Sequence, residues 1–272
     1  MATTLWQSTA HAAAAPDTGA TSAATLADGP AVPAPVAPDP LFRILGTMLA
    51  MSGGDTSLEL VGVLTDGLLD TPSYALAAQH LRHDPGCAAL IDARWVPGPH
   101  DLDRLAALPV GSLGHAYAAS LTRLGYDPDL HAGMEAGSQA TYVEVRLSQT
   151  HDLWHVLTGF DTSLLGEIGL QAFHLGQFPY PLGAMLTAQA LQSITLFDPE
   201  QLPALVLAIH TGLQMGQQAR PLFAQRWEEG WAKPLQQWRQ ELNLTPVQEW
   251  AAAAPPSAGS TTAPLPLGAG QP

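Results

Sequence analysis

The residues best suited to chemistry lie in one short segment, His151-Asp152-Leu153-Trp154-His155. On a helix, which turns about 100° per residue, His151 and His155 fall within roughly 40° of each other, and Asp152 lies about 60° beyond His155. Three metal-capable side chains can therefore face one centre. Imidazole and carboxylate ligands together suit zinc, iron or manganese, and such a set leaves positions open for water or substrate. The segment predicts a reactive divalent-metal site.

Glu167 is the candidate for a fourth ligand. It follows His155 by twelve residues, which on one continuous helix would separate them by roughly 18 Å along the axis. A turn must therefore intervene. Gly159 can take the left-handed conformation that ends a helix, and a polar residue within 161–163 can cap the next one. Two helices joined by so short a connection pack antiparallel, which predicts Glu167 beside His155.

Gln171 and His174 follow Glu167 by four and seven residues and so share its helical face. We interpret them as candidates for contacts to the ligating side chains or to substrate, although plain packing explains them equally well. If these residues formed a polar cluster without a metal, several ionisable groups would be buried, at a considerable cost in free energy. No residue beyond the metal ligands is assigned a catalytic role.

The fold class follows from hydrophobic periodicity. Strand signals are nearly absent, whereas helical spacing of apolar residues recurs along the chain and predicts an all-α fold. The predicted helical segments are 58–69, 73–82, 113–124, 142–157, 164–177, 182–196 and 202–242. Segments such as 84–86 are interpreted as breaks between helices. Segments 182–196 and 202–209 are apolar on most sides, so we expect them to be buried or to line a hydrophobic cavity.

The domain organisation follows from composition. Residues 1–40 and 249–272 are rich in Ala, Pro, Gly, Ser and Thr, which predicts a disordered tail at each end. Residues 41–248 then form a single all-helical, metal-binding domain. With 46% apolar residues in 272, the chain can build a substantial core.

Charge and motif content exclude several classes of function. A net charge of −14 with only ten Lys and Arg argues against nucleic acid as a partner. The lone Cys87 excludes an intrachain disulfide. No P-loop, dinucleotide-binding glycine motif or nucleophile elbow occurs. Apolar runs stay well below the ~20 residues of a membrane span. The first basic residue is Arg43, so no signal or presequence is indicated and we expect a cytoplasmic protein.

Three tryptophans near the C-terminus have helical spacing. Trp227, Trp231 and Trp238 are four and seven residues apart, so on a continuous helix they share one face. Core packing is the default explanation, and a membrane interface is the alternative. Pro221 either kinks this helix or begins a new one.

Several segments together resemble one protein family. Residues 151–159, with Glu167, resemble the HDxxH-x11-E signature of the Coq-four family of ubiquinone (coenzyme Q) biosynthesis proteins. Residues 108–117 are similar to the family's LPxGTLGxxY segment, with Ser112 where threonine is usual. Residues 227–229 and 238–242 look like its C-terminal helix. The likeness covers about residues 55 to 245. The predominance of Arg over Lys, with Ala, Pro and Gly abundant, suggests a bacterial member with a GC-rich genome.

The resemblance implies an all-helical fold and a divalent metal, usually zinc, on His151, Asp152, His155 and Glu167. It also implies a hydrophobic pocket for a polyprenyl chain and a place in quinone assembly. The family is associated with removal of the C1 ring carboxylate of a polyprenylated hydroxybenzoate, coupled to hydroxylation there. The expected partners are that lipid or a quinone lipid, other quinone biosynthesis enzymes, and a second copy in a homodimer. The expected location is the bacterial cytoplasm, with peripheral association at the inner membrane.

Two other functions stay open at this point. A non-catalytic scaffold or prenyl-lipid-binding protein would use the metal only to order the head-group site. A metal-dependent phosphohydrolase would also contain an adjacent His-Asp pair, but it needs further His and Asp ligands on other helices. The candidates for these ligands are His80, His83-Asp84 and His115. Their spacing in the sequence does not support a role as ligands of the same site.

Overall fold

The structure, a computed structural model, describes residues 39–53, 57–131, 134 and 136–248. The predicted tails lie outside these residues, except for Asp39 and Pro40. The helices are α1 (Pro40–Ser52), α2 (Leu58–Leu69), α3 (Pro72–Leu81), α4 (Pro85–Ala93), α5 (Leu102–Ala106), α6 (Leu113–Leu124), α7 (Gln139–Thr158), α8 (Leu164–Gln177), α9 (Pro181–Phe197), α10 (Leu202–Gln218) and α11 (Leu235–Glu241). Within the described ranges, β-type pairing is confined to one bridge, Ser112 with Pro234. The all-α, single-domain prediction is confirmed.

Each helix whose bounds were predicted correctly is preceded by a serine. The observed bounds of α2, α6 and α8 coincide with the predicted segments, and Ser57, Ser112 and Ser163 precede them. Each serine hydroxyl accepts a hydrogen bond from a backbone N–H of the first turn. These bonds satisfy donors that the helix itself leaves unpaired. Local sequence therefore defines where these helices start.

Three helices were not among the predicted segments. Asp39, Asp84 and Asp101 cap α1, α4 and α5 by accepting a backbone N–H. Pro40 and Pro85 occupy the first helical positions, where proline's missing N–H is no loss. A break between helices does occur here, because α3 ends at Leu81, but Pro85 and Gly86 already belong to α4, since Asp-Pro at that point starts a helix.

The predicted long helix over 202–242 is not continuous. α10 ends at Gln218, a short 3₁₀ turn covers Trp227–Glu229, and α11 begins only at Leu235. Residues 219–226 do not continue the helix, in keeping with Pro221, which has no N–H to donate to a helix. The predicted continuous segment is thus wrong over its second half.

The prediction that the three tryptophans share one helical face is wrong for the same reason, because no continuous helix carries them. Trp227 and Trp238 contact each other, with ring centroids 5.0 Å apart. Trp231 instead stacks on Tyr117 of α6, at 5.3 Å between centroids. Trp227 and Trp238 are buried, so their role is in the core.

α7 lies at the centre of the domain and contacts α3, α4, α6, α8 and α11. Arg146 of this helix is only 1% exposed. Its guanidinium donates to both carboxylate oxygens of Glu228 at 2.8 and 3.2 Å, and it lies over the Trp95 ring, 4.9 Å from the centroid. This pair anchors α7, which carries His151 and His155, to the segment that follows α10.

α8 and α10 pack unusually closely through glycines. A Cβ on Gly212 would lie 2.1 Å from the Gly169 carbonyl oxygen, and one on Gly216 would lie 2.3 Å from the Phe173 carbonyl oxygen. Only glycine permits this approach of two backbones. Because Glu167 belongs to α8, the contact fixes the helix that presents it.

α9 and α10 are less buried than their composition suggests. Ile194 and Leu205 are buried in a small cluster, but Leu196 is 61% and Leu207 63% exposed. The expectation that these helices are buried on most sides was therefore wrong at this end. In the part of the chain that is described, no helix combines the length and the apolar character needed to cross a bilayer.

Candidate metal centre

Three of the four predicted ligands converge on one point. His151, His155 and Glu167 each offer a ligating atom, and these atoms all lie within 4.8 Å of one another. The Nε2 atoms of the two histidines are 3.1 Å apart. Glu167 closes the triangle, with one carboxylate oxygen 3.2 Å from His151 Nε2 and the other 3.4 Å from His155 Nε2.

The local sequence explains how Glu167 returns to the histidines. α7 ends at Gly159, whose φ of +79° is left-handed, and its N–H donates to the His155 carbonyl at 2.8 Å. Arg239 donates to two further carbonyls of the last turn of α7. Ser163 then caps α8. The predicted turn and the predicted position of Glu167 beside His155 are thus both found.

A hydrogen bond at the back of His155 orients its ring. Nδ1 of His155 lies 2.9 Å from the Phe160 carbonyl oxygen, which can only accept, so we assign the proton to Nδ1. In the neutral ring, the lone pair is then on Nε2, which faces Glu167 and is the atom that a metal ion would bind. Metal-binding histidines in proteins are commonly oriented in this way. Phe160 is held in turn by α8, where a Cβ on Gly169 would be 2.4 Å from its ring.

The spacing of the three groups fits a bound cation. Ligands about 2.1 Å from a tetrahedral zinc ion are about 3.4 Å from each other. The observed separations of 3.1, 3.2 and 3.4 Å are close to that value. Two neutral imidazole nitrogens and a carboxylate are a donor set that zinc, iron or manganese accepts. The residues present therefore fit a divalent ion.

The charges of the centre are strongly coupled. Burial raises the pKa of Glu167, but hydrogen bonds from His151 and His155 outweigh burial and hold that pKa well below its usual range. Burial lowers the pKa of His155, but the hydrogen bond and charge of Glu167 outweigh burial and leave it raised. The ionised, buried carboxylate of Glu167 therefore stabilises a positive charge beside it. A metal ion can provide this charge in place of a proton.

Asp152 lies beside the three-residue cluster without joining it. Burial raises the pKa of its carboxyl group, and the nearby His151 and His155 oppose that rise. Burial, followed by the charge of Asp152, raises the pKa of Tyr117 and of Tyr126. Its charge therefore acts on the centre and on the aromatic residues around it. Its role as a fourth ligand stays a prediction.

Gln171 and His174 are both buried next to the centre, with 4% and 1% of their surface exposed. Within the described ranges, Gln171 Oε1 has no hydrogen-bond partner. Burial, followed by the charge of His151, lowers the pKa of His174 to about 3, so its ring is neutral. That ring stacks on Trp154, with centroids 4.5 Å apart. Contacts from these two residues to ligand or substrate stay predictions.

The sequence analysis missed two residues close to the centre. Burial, with the charge of His151, lowers the pKa of His131 to about 4. Glu144 is 3% exposed and accepts hydrogen bonds from two tyrosine hydroxyls. The spacing of seven residues between Glu144 and His151 was a usable signal, because it places both on one helical face. His131 carries no comparable signal, since it lies in a loop.

The histidines invoked for a phosphohydrolase lie elsewhere. His80 and His83 contact each other edge to face, with centroids 5.8 Å apart, and His115 Nδ1 bonds to the Ala106 carbonyl at 3.0 Å. Among the described residues, the only group with metal-ligand geometry is His151, His155 and Glu167. Within the described ranges, His80, His83 and His115 are not part of that group.

Comparison with known proteins decides the family. Residues 69–248 match the family described as coenzyme Q (ubiquinone) biosynthesis protein Coq4. The chain belongs to this Coq4 family. The resemblance seen in the sequence is thus confirmed, and the matched region includes all four predicted ligands.

Individual Coq4 relatives agree. A mitochondrial COQ4 homolog 1 from Culex quinquefasciatus is 31% identical over 176 residues, or 62% of each chain. A mitochondrial COQ4 homolog from Bos taurus is 30% identical over 208 residues, 73% of this chain and 71% of that one. A crystal structure of a protein assigned to ubiquinone biosynthesis in Nostoc punctiforme is 33% identical, with a TM-score of 0.68 over 75% of this chain and 96% of that one. The match spans less than two thirds of the Culex relative.

Proposed function

We propose that this Coq4-family protein acts in ubiquinone biosynthesis on a polyprenylated hydroxybenzoate, removing the C1 ring carboxylate with hydroxylation at that carbon. The proposed cofactor is a divalent metal ion, zinc first and iron or manganese as alternatives. It would be held by His151, His155 and Glu167, with Asp152 as the fourth ligand. The observation that carries this proposal is the convergence of two Nε2 atoms and a carboxylate at 3.1 to 3.4 Å.

A bound divalent cation would supply Lewis acidity, which stabilises negative charge on the substrate head group as carbon dioxide leaves. Zinc has no redox chemistry. Replacing the carboxylate by a hydroxyl is a two-electron oxidation, which balances if dioxygen is reduced to hydrogen peroxide while one water molecule is consumed and carbon dioxide is released. With zinc, this step would depend on reaction of dioxygen with the electron-rich ring, whereas iron in the same ligands could take part in the oxidation.

The chain itself contributes orientation and a dry environment. The Phe160 carbonyl fixes the His155 ring, and His155 and Glu167 are 7% and 6% exposed. Exclusion of water strengthens every electrostatic contact to a charged head group. Neutral His174, stacked on Trp154, supplies an aromatic wall close to His151, and its ring is parallel to the His151 ring at 6.3 Å.

An alternative is a scaffold or prenyl-lipid-binding protein that organises quinone biosynthesis enzymes. The observation that favours it is a set of exposed large apolar side chains on α1, which include Phe42 at 73% and Leu49 at 74% exposure. Such side chains indicate an apolar partner. The proposal also includes a prenyl-lipid cavity, a homodimer, and a cytoplasmic location with peripheral association at an inner membrane.

Turnover by the purified protein separates the two functions. Protein loaded with zinc, iron or manganese would be incubated in air with a polyprenylated hydroxybenzoate, and products would be identified by mass spectrometry. We expect loss of the carboxylate and gain of a hydroxyl with one of these metals, and none with His155→Ala. Binding of the lipid without conversion under all three metals would contradict the enzymatic proposal and support the scaffold.

A further inference from the structure

A second pocket lies beside α7, away from the metal ligands. It is lined by the loop 96–100 before α5, by Pro128 and Asp129 after α6, and by Gln149 of α7, and its volume is about 260 Å³. At about 100° per residue around α7, Gln149 lies about 160° from His151 and about 120° from His155. The second pocket therefore belongs to another face of this helix than the metal centre.

The walls of the second pocket are held by contacts between distant segments. At one end of the loop 96–100, the Tyr142 hydroxyl of α7 donates to the Trp95 carbonyl oxygen at 2.8 Å. At the other end, the His100 backbone N–H donates to the two carboxylate oxygens of Asp129 at 3.2 and 3.0 Å. The loop is thus fixed to α7 and to the segment after α6, which gives the pocket a defined shape.

Asp129 also orients the His100 ring. The Nδ1 atom lies 2.8 Å from Asp129 Oδ1, and because a carboxylate oxygen accepts, we assign the proton to Nδ1. The rings of Tyr117 and Trp231 contact the His100 ring, with centroids 6.0 and 5.7 Å away. In the neutral ring, the lone pair is then on Nε2. A histidine held in this way presents one acceptor in a fixed direction.

Two polar groups of the second pocket are free to bind a ligand. Among the described residues, neither His100 Nε2 nor the Gln149 carboxamide has a hydrogen-bond partner. The side chains in this part of the chain that bury a polar atom without a partner are those of Arg43, Trp154 and Gln171. Because His100 is not among them, although its side chain is only 7% exposed, its Nε2 edge is accessible. The space that it reaches is the pocket that His100 lines.

The lining of the second pocket favours a neutral, flat ligand. Pro97, Pro99 and Pro128 contribute apolar rings and no backbone N–H. Lys and Arg are absent from the described lining, which contains Asp129, so an anion is disfavoured. The volume of about 260 Å³ exceeds the roughly 150 Å³ of a cavity that binds benzene. An aromatic ring with small substituents therefore fits, and a hydroxyl on that ring matches the acceptor of His100.

We propose that the second pocket is a binding site for a small neutral phenol. The phenol hydroxyl donates to His100 Nε2, and the ring packs against the prolines. This site goes beyond the proposed function and does not depend on it, because it uses neither the metal ion nor a prenyl chain.

The compounds 4-methylphenol and 4-methylanisole test the hydrogen bond to His100. They share the same ring, but only the phenol can donate a proton to Nε2. Loss of this bond, with the acceptor left unpaired, corresponds to about tenfold in affinity. We therefore expect the wild-type protein to bind the phenol about tenfold more tightly than the ether, as measured from amide chemical shifts in an NMR titration. The preference should be the same in zinc-loaded and metal-free protein, because the predicted metal ligands do not line the pocket.

His100→Asn removes the acceptor and keeps the bond to Asp129. The asparagine NH₂ group can replace Nδ1–H as the donor, but the side chain has no counterpart of Nε2. The preference for the phenol over the ether should therefore fall from about tenfold to within about twofold. His115→Asn is the matched control, because His115 Nδ1 also bonds to one oxygen, the Ala106 carbonyl at 3.0 Å, but His115 does not line the pocket. It should keep the preference of the wild type.

Gln149→Trp tests the location of the site without relying on His100. Gln149 lines the pocket from α7 and has no hydrogen-bond partner among the described residues, so its replacement breaks no described contact. The larger side chain should occupy part of the pocket and weaken binding of both the phenol and the ether by about tenfold or more. Circular dichroism and the melting temperature would show that each variant is folded.

The outcomes are distinct for the second pocket and for the metal centre. A preference that is independent of zinc, lost in His100→Asn and kept in His115→Asn supports the phenol site. Equal binding of the two compounds by the wild type, no binding of either, or the full preference in His100→Asn would overturn it. A phenol affinity that changes tenfold with zinc would assign the binding to the metal centre instead. If His100→Asn does not fold, Gln149→Trp decides, and an unchanged phenol affinity in that variant would also overturn the inference.

Discussion

His155 Nε2 lies 3.1 Å from His151 Nε2. Two acceptor nitrogens come this close only when a proton or a cation lies between them. The Phe160 carbonyl oxygen accepts a hydrogen bond from the Nδ1–H of His155. The pair is thus arranged to share one positive centre with Glu167, and a divalent ion satisfies all three groups at once.

Removal of His155 tests the contribution of this pair. We expect His155→Ala to lose the bound metal and the activity while the helical fold is retained, because the remaining His151 and Glu167 form an incomplete set. Metal content would be measured by elemental analysis and helicity by circular dichroism. His115→Ala, which lies away from the centre, serves as the control and should keep its metal. Full metal occupancy in His155→Ala would show that the ligand assignment is wrong.

Metal affinity should depend on pH through His155. Its pKa is raised by Glu167 in the metal-free protein, so below that pKa the ion has to displace a proton, and above it the imidazole is already free. Affinity should therefore rise with pH, by up to about tenfold per pH unit, and level off above the raised pKa. Competition with a chromophoric chelator between pH 6 and 9 measures this. An affinity that is constant across this range would be inconsistent with His155 as a ligand.

The contact between α8 and α10 should tolerate no side chain. Gly212→Ala would place a Cβ 2.1 Å from a backbone oxygen, so the helices must separate, at a cost of about 1–3 kcal/mol in the free energy of unfolding. Gly62→Ala is the matched control. No atom lies within 4 Å of the added Cβ, and alanine should stabilise that helix by about 0.5–1 kcal/mol. Urea unfolding compares the two, and equal effects would refute the packing argument.

The buried Arg146 should matter far more than its neighbour Arg226, although both lie over the Trp95 ring. Arg146→Ala leaves Glu228 without its partner and should cost about 3–5 kcal/mol. Arg226 is 41% exposed and pairs with an exposed Glu229, so Arg226→Ala should cost about 1 kcal/mol or less. Thermal and urea unfolding would measure both. Similar losses for the two variants would show that Arg146 does not anchor α7.

The sequence predicted those parts of the site that depend on local spacing. His151 and His155 are one helical turn apart, and Glu167 follows across a short turn with a glycine and a serine cap. The side-chain period of a helix and the geometry of a short connection therefore bring these three residues together. Local sequence features also predicted the bounds of α2, α6 and α8, where a serine cap precedes each helix.

Contacts between distant parts of the chain could not be predicted in this way. Tyr74 and Tyr180 reach Glu144 across separations of 70 and 36 residues, and nothing near Glu144 in the sequence specifies them. Trp231 stacks on Tyr117 because the chain leaves its helical path after α10. Periodicity alone did not show that break, because apolar residues at helical spacing occur on both sides of Pro221.

The most direct test of the central claim is a crystal structure of the zinc-loaded protein with anomalous data collected on both sides of the zinc absorption edge. We predict one anomalous peak, about 2.0–2.2 Å from His151 Nε2, His155 Nε2 and a Glu167 carboxylate oxygen. Asp152 or a water molecule should complete the coordination. A peak at another place, or none among these three side chains at full zinc occupancy, would contradict the account.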